Sequence, residues 1–158
     1  MGTIIALWHK ASMGKTSTLI ELKKLICNEY FCNVIFEKNY GDKDFLLVAK
    51  IFGKTIGIES MGDPDSGVKA RLQDLFDKYT PDYVFCATRT SGETVSDVLS
   101  FKDQGVNVIW DSTYQIYDEG LFDFFNKLKA AHLFDLLKSL ILNDEDISKV
   151  KEKYKTME

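Results

Sequence analysis

A short run of residues near the start of the chain has the composition needed to hold a phosphate group. Gly14, Lys15 and Thr16 follow a continuous apolar segment, Thr3 to Trp8, and lead directly into a helical pattern. A glycine lets backbone N–H groups turn toward an anion, a lysine ammonium pairs with phosphate oxygens, and a threonine hydroxyl can ligate Mg²⁺. The first turn of a helix adds partial positive charge at the same place. The spacing therefore predicts a phosphate-binding loop.

The segment from His9 to Thr16 resembles the phosphate-binding loop of the P-loop NTPase superfamily. It matches the pattern G-x-x-x-x-G-K-[ST] at Gly14, Lys15 and Thr16, and His9 stands where the pattern begins with glycine. Lys10 lies five residues before Lys15, as the signature lysine does in the class that includes partition and septum-site ATPases, the nitrogenase iron protein and dethiobiotin synthetase. The resemblance implies bound ATP and Mg²⁺, and a homodimer in which Lys10 reaches the nucleotide of the partner subunit.

The resemblance also assigns roles within the loop. Lys15 is expected to stabilise the charge that develops on the transferred phosphoryl group, with Lys10 assisting, and Thr16 is expected to ligate Mg²⁺. The residues expected to bind the nucleotide from this loop are Ser12, Met13, Gly14, Lys15, Thr16 and Ser17.

A second acidic residue at the end of a strand is expected to hold Mg²⁺ through water, and the sequence offers two candidates. Glu59 ends the run from Ile56, and Asp111 ends the run from Val106. We favour Glu59, because the acidic strand of such proteins commonly lies next to the strand that precedes the loop. Asp63, shortly after Glu59, is expected to lie near the attacking water. An ordinary helix cap or strand-end charge is the alternative for Glu59 and Asp111.

Two further segments are candidates for contacts with a substrate. The polar loop Asn39 to Asp44 takes the place of a switch or acceptor-binding segment, in which Asp42 or Asp44 would act as a base or Mg²⁺ contact; a solvated turn is the alternative. Arg89 follows the apolar strand Tyr83 to Thr88, at the edge where open α/β sheets bind ligands. Its guanidinium suits a phosphate or a carboxylate, and a surface ion pair is the alternative.

Three functions are compatible with these residues. The first is a small dimeric switch that hydrolyses ATP. The second is a kinase that transfers the γ-phosphate of ATP to a small molecule or nucleotide. The third is a non-catalytic protein, in which a degenerate loop binds nucleotide while the C-terminal helix docks a protein partner. The sequence contains no N-K-x-D segment, which favours ATP over GTP, and its only arginines are Arg71 and Arg89, too few for the arginine-rich lid of a kinase.

The composition excludes several other classes of protein. A length of 158 residues suits one domain, and 45% hydrophobic with 28% charged residues is typical of a globular protein. A net charge of -4 disfavours a dedicated nucleic-acid binder. Two histidines, and three cysteines without metal-ligand spacing, offer little for a zinc site or a histidine-based triad. No stretch suits a membrane span or a signal peptide, so we expect a cytoplasmic protein with reduced thiols.

Hydrophobic periodicity predicts the elements that must position the loop. Gly53-Lys54 predicts an antiparallel hairpin, and Thr90 to Glu93 fits a capping box. We expect one three-layer α/β domain over residues 1–158, with a mostly parallel sheet, this one antiparallel hairpin, and a C-terminal helical segment that covers a sheet face or serves as a partner surface. The predicted strands are 3–8, 33–38, 45–52, 55–59, 83–88 and 106–110, and the predicted helices are 16–30, 62–79, 90–102, 119–142 and 145–155.

Overall fold

A single sheet organises the part of the chain that the computed structural model describes, residues 2–9, 14–62 and 66–155, with side chains described through residue 143. Six strands of these residues lie in the order β2-β3-β4-β5-β1-β6. In chain order the elements are β1 (Thr3–Trp8), α1 (Lys15–Cys27), β2 (Asn33–Tyr40), β3 (Asp44–Ile51), β4 (Lys54–Glu59), α2 (Val68–Tyr79), β5 (Tyr83–Thr88), α3 (Glu93–Leu99), β6 (Asn107–Asp111) and α4 (Phe122–Lys155), with 3₁₀ turns at Ser100–Gln104 and Glu119–Leu121.

The parallel half of the sheet brings four strand ends to one edge. β1 lies between β5 and β6 and runs parallel to both, so that Trp8 pairs with Thr88 and Leu7 pairs with Asp111. β4 runs parallel to β5, on the side of β5 that faces away from β1, with Glu59 opposite Cys86. The carboxyl ends of these strands therefore share the edge at which open α/β sheets bind ligands.

The antiparallel half of the sheet is larger than the sequence predicts. The expected hairpin around Gly53 is confirmed between β3 and β4. β2 and β3 form a second antiparallel pair, and the expected loop over Asn39 to Asp44 is shortened to a turn at residues 41–43, because Tyr40 pairs with Asp44 and Asn39 with Phe45. Within the described residues, the sheet thus has three parallel and two antiparallel strand pairings.

Helices pack on both faces of the sheet. On β1, Ile5 and Leu7 belong to a core cluster with α1 and α4, whereas Ile4 and Ala6 belong to a cluster with α2 and α3. A strand buried on both faces needs apolar side chains at every position, which explains the uninterrupted apolar run of β1.

The C-terminal helix covers one sheet face, as expected, but it is continuous where the sequence predicts two segments. α4 buries one stripe against α1 and the sheet, consisting of Ala130, Leu133, Phe134, Leu137 and Ile141. Its first turns are more exposed, with Phe122 at 39% and Phe124 at 60%. None of the described helices combines the length and apolar character that a membrane crossing requires.

Several helix boundaries differ from the predictions. α1 ends at Cys27, three residues before the predicted end. α2 begins at Val68 rather than at Gly62, and the other residues of the turn predicted at its start, Asp63 to Asp65, lie outside the described residues. The predicted capping box at Thr90 is wrong, because α3 begins only at Glu93 and Gly92 occupies its N-cap without a side-chain hydrogen bond.

Candidate functional site

A cavity of about 550 Å³ opens at the carboxyl edge of the sheet. It lies where the N-terminus of α1, the β2–β3 turn, the ends of β4 and β5, and the start of α4 come together. Its lining residues are Gly14, Lys15, Thr16, Ser17, Lys43, Asp44, Ser60, Gly62, Ala87, Arg89, Tyr114, Ile116, Phe122 and Asn126. The volume is within the usual range for small-molecule sites.

The predicted loop residues Gly14 to Ser17 form one wall of this cavity. Gly14 caps α1 with a left-handed φ of 79°, and its carbonyl accepts the Thr18 N–H at 2.9 Å. The Lys15 side chain is 9% exposed, and its Nζ donates to the carbonyls of His9 at 2.6 Å and Thr88 at 2.8 Å. Because these carbonyls belong to the residue that follows β1 and to the last residue of β5, the ammonium is fixed at the edge of the sheet beside the first turn of α1.

Thr16 meets a carboxylate, which belongs to Asp44 rather than to the favoured Glu59. The Thr16 hydroxyl donates to Asp44 Oδ1 at 3.3 Å, and the Ser60 hydroxyl donates to the same oxygen at 3.0 Å. Ser60 also accepts the Phe45 N–H through Oγ at 2.8 Å, which ties the end of β4 to the start of β3. A hydroxyl and a carboxylate are thus held together at the cavity wall.

Glu59 takes no part in this contact between Thr16 and Asp44. The expectation that the Glu59 strand adjoins β1 is wrong, since β5 lies between β4 and β1. Glu59 is 1% exposed, is not among the residues that line the cavity, and forms an ion pair with Arg71 of α2 at 3.2 Å between Oε1 and Nε.

The ion pair between Glu59 and Arg71 holds the segment that follows β4. The Met61 N–H donates to Glu59 Oε1 at 3.3 Å, and Arg71 donates to the carbonyls of Met61, at 2.8 Å, and Ser66. Burial raises the pKa of Glu59 from 4.5 to about 7, although the Arg71 charge and the Met61 N–H oppose the shift. The pair therefore braces both described ends of the segment that lies between Met61 and Ser66.

Asp111, the other acidic candidate, lies on the strand next to β1 but is engaged by α4. Lys129 donates to Asp111 Oδ1 at 2.8 Å, and the two side chains are 12% and 32% exposed, respectively. The same oxygen accepts the Ser112 N–H. This ion pair fastens α4 to the end of β6.

Arg89 lines the cavity, at the strand end where the sequence predicts a ligand contact. Its backbone is held in place, because the Arg89 N–H donates to Thr94 Oγ1 at 3.0 Å and its carbonyl accepts from Thr88 Oγ1 at 3.0 Å. Lys43, in the β2–β3 turn, contributes a further cation to the lining. The cavity therefore carries the cationic side chains of Lys15, Lys43 and Arg89.

Sequence reasoning missed the wall supplied by the C-terminal part of the chain, which consists of Tyr114, Ile116, Phe122 and Asn126. Asn126 Oδ1 accepts from the Thr18 hydroxyl at 3.4 Å, and a Cβ at Gly14 would lie 2.5 Å from this oxygen. In the sequence, the signal for this contact is Asn126 itself, a polar residue that directly follows the Phe-rich start of α4.

The remaining candidates cannot be placed in the site. Lys10, Ser12, Met13 and Asp63 lie outside the described residues, so their expected roles stay predictions. Asp42 is exposed in the β2–β3 turn and is not among the lining residues.

Comparison of the chain with models of protein families, with curated proteins and with solved structures finds no match.

We expect Gly14→Ala to destabilise the protein more than Gly53→Ala. Both glycines have a left-handed φ, 79° and 77°, but only Gly14 has a neighbour within reach of a new Cβ, the Asn126 amide. The left-handed backbone alone costs about 1–2 kcal/mol with a Cβ present. Denaturant unfolding measures both losses, and the double variant Gly14→Ala/Asn126→Ala should recover the excess. Equal losses for the two single variants would contradict the contact.

We expect the free energy of unfolding to fall between about pH 4.5 and pH 7 through Glu59. Below this window Glu59 is protonated in both states; within it the unfolded chain releases the proton while the folded protein keeps it. This raised pKa corresponds to a fall of about 3 kcal/mol over the whole window. Glu59→Gln should remove this component from denaturant unfolding at pH 4.5 and pH 8, whereas Glu119→Gln, at an exposed position, should not. A wild-type pH slope in Glu59→Gln would refute the assignment.

Proposed function

We propose that the protein is a P-loop-type nucleotide-binding protein that binds Mg²⁺–ATP in this cavity and hydrolyses it to ADP and phosphate. The observation that carries the proposal is the arrangement at the N-terminus of α1. There the Lys15 ammonium is fixed beside the first helical turn, and the Thr16 hydroxyl contacts the Asp44 carboxylate. These are the groups that a polyphosphate with a bound divalent cation requires.

The cationic lining supports a ligand with several negative charges. Lys15 and the helix N-terminus lie on one side of the cavity, and Lys43 and Arg89 belong to the same lining. A guanidinium pairs with phosphate through two N–H groups, whereas a lysine acts as a point charge. In this proposal Lys15 holds the β and γ phosphates, and its attraction grows as charge develops on the γ-phosphate oxygens.

The residues present also fit the magnesium ion. Mg²⁺ is usually held by one or two protein groups together with substrate phosphates, rather than by a cage of protein ligands. Thr16 and Asp44 would be those groups, in place of Thr16 and Glu59. When bound, Mg²⁺ would neutralise charge between the β and γ phosphates.

Hydrolysis needs a water near the γ-phosphate, and the segment after β4 is the proposed place for it. Gly62 lines the cavity, and Asp63 follows it in the sequence. A Cβ at Gly62 would lie 2.2 Å from the Ala87 carbonyl, so this segment packs directly against the end of β5. Asp63 would accept a hydrogen bond from the water, and Lys10 of a partner subunit would complete the site in the proposed homodimer.

A kinase is the second candidate, favoured by the extent of the cationic lining. Lys43 and Arg89 come from the β2–β3 turn and the end of β5, and both line the cavity in which an acceptor that carries a phosphate or a carboxylate would bind. Stimulation of ADP formation by one such metabolite, without release of free phosphate, would favour this function over hydrolysis.

We expect Lys15→Ala to weaken the binding of Mg²⁺–ATP by at least tenfold and to abolish phosphate release, because it removes the cation at the head of α1. Calorimetric titration and a phosphate-release assay measure the two effects. Lys24→Ala is the matched control, since Lys24 lies on the same helix with its side chain 61% exposed. Circular dichroism checks that each variant is folded. Unchanged ATP binding by folded Lys15→Ala, or no binding by the wild type, would refute the proposal.

We expect Asp44→Asn to remove the gain in ATP affinity that Mg²⁺ provides. Asparagine retains an oxygen that can accept from Thr16 and Ser60, so the change removes mainly the negative charge. ATP binding is measured with Mg²⁺ and with EDTA in the wild type and the variant. Asp42→Asn, two residues away and exposed, is the control. Equal effects of the two substitutions would show that Asp44 is not the magnesium contact.

A further inference from the structure

We propose that Tyr114, assisted by Phe122, forms an aromatic platform on which the base of the nucleotide stacks. The inference rests on the proposed function and extends it from the phosphates to the other end of the ligand. Both rings line the same cavity as Gly14 to Ser17, and each is 39% exposed. The cavity thus combines a cationic, hydroxyl-bearing wall with an aromatic one.

The Tyr114 ring is held in place although it is partly exposed. Its hydroxyl hydrogen-bonds to His132 Nδ1 at 3.0 Å, and its ring meets Phe125 edge-on at a centroid distance of 5.5 Å. Lys129 Nζ lies 5.6 Å from the ring centroid, and the preceding residue, Thr113, is buried. A side chain fixed before binding loses little conformational freedom when a ligand packs on it, so it can contribute its full stacking energy.

The platform has a fixed position relative to the phosphate loop. Lys129, which contacts the Tyr114 ring, also pairs with Asp111 at the end of β6, the strand next to β1. Asn126 of the same helix accepts from Thr18 on α1. These two contacts join α4 to β6 and to α1, so the aromatic and cationic walls are connected through the same helix.

A ligand that uses both walls must carry an aromatic ring at one end and phosphates at the other. Inorganic triphosphate satisfies only the cationic wall, whereas a nucleoside triphosphate satisfies both. Stacking recognises the π-face that every base has, so it adds affinity without selecting one base strongly. The ligand class is therefore nucleoside triphosphates, preferred over inorganic polyphosphate.

The test compares Mg²⁺–ATP with inorganic triphosphate by calorimetry. Tyr114→Leu should weaken ATP binding roughly tenfold or more, the usual loss of one stacked base, and leave the affinity for triphosphate unchanged. Tyr114→Phe retains the ring and loses only the hydroxyl contact to His132, so it should keep nearly wild-type ATP affinity. Tyr117→Leu is the control, because Tyr117 is 83% exposed and does not line the cavity.

The outcomes separate this inference from the proposed function. Equal losses for ATP and triphosphate in Tyr114→Leu, or no loss for either, would overturn the platform while leaving the phosphate site in place. Binding of neither ligand by the wild type would overturn both proposals. If Tyr114→Leu does not fold, Phe122→Leu provides the same comparison, and it should weaken ATP binding selectively.

Discussion

The arrangement of the site depends on how the Lys15 ammonium is held. A lysine that is 9% exposed needs oxygen partners, and here they are the backbone carbonyls of His9 and Thr88. Those oxygens are available because β1 and β5 are adjacent, parallel and in register, with Trp8 opposite Thr88. The Thr88 carbonyl also accepts the His9 N–H at 3.3 Å, so a single oxygen joins the strand end, the chain leaving it and the lysine. Strand pairing thereby fixes a positive charge at the point where α1 begins.

The start of the C-terminal helix supplies one wall of the cavity at this strand edge. The buried stripe of this helix packs against α1, the helix that Gly14 caps, so the cavity wall and the core are parts of one packed unit. The Asp111–Lys129 ion pair and the Thr18–Asn126 hydrogen bond then set its position along the edge. Glycine suits position 14 for two reasons. The backbone there is left-handed, and the Asn126 side chain lies where a Cβ would be.

The local parts of the site could be predicted from sequence, and the long-range parts could not. An apolar strand, a Gly-Lys-Thr loop and an amphipathic helix are consecutive, so the hydrophobic pattern was enough to place Lys15 and Thr16 at a strand edge; Arg89 followed from the same reasoning. The strand order depends on pairings between distant segments. No pattern within the β4 segment indicates that β5 separates it from β1. Glu59 was favoured because its strand was expected to lie next to β1, and that expectation is wrong. The contacts of Asn126 and Tyr114 depend on α4, which packs at the carboxyl edge of the sheet more than 100 residues after the phosphate-binding loop.

Asp44 and Glu59 are nearby carboxylates in different environments: Asp44 lines the cavity, whereas Glu59 is buried beside Arg71. Asp44 begins β3 beside a turn, accepts two hydroxyl hydrogen bonds and lines the cavity, so its charge is available to a ligand. Glu59 points among buried side chains, where burial raises its pKa to about 7 and Arg71 supplies the compensating charge. Glu59 Oε2 has no hydrogen-bond partner among the described residues, so removal of Arg71 would leave the Glu59 carboxylate buried without a compensating charge. Glu59 therefore serves the cavity indirectly, because the same arginine that neutralises it also holds the backbone of the segment carrying Gly62.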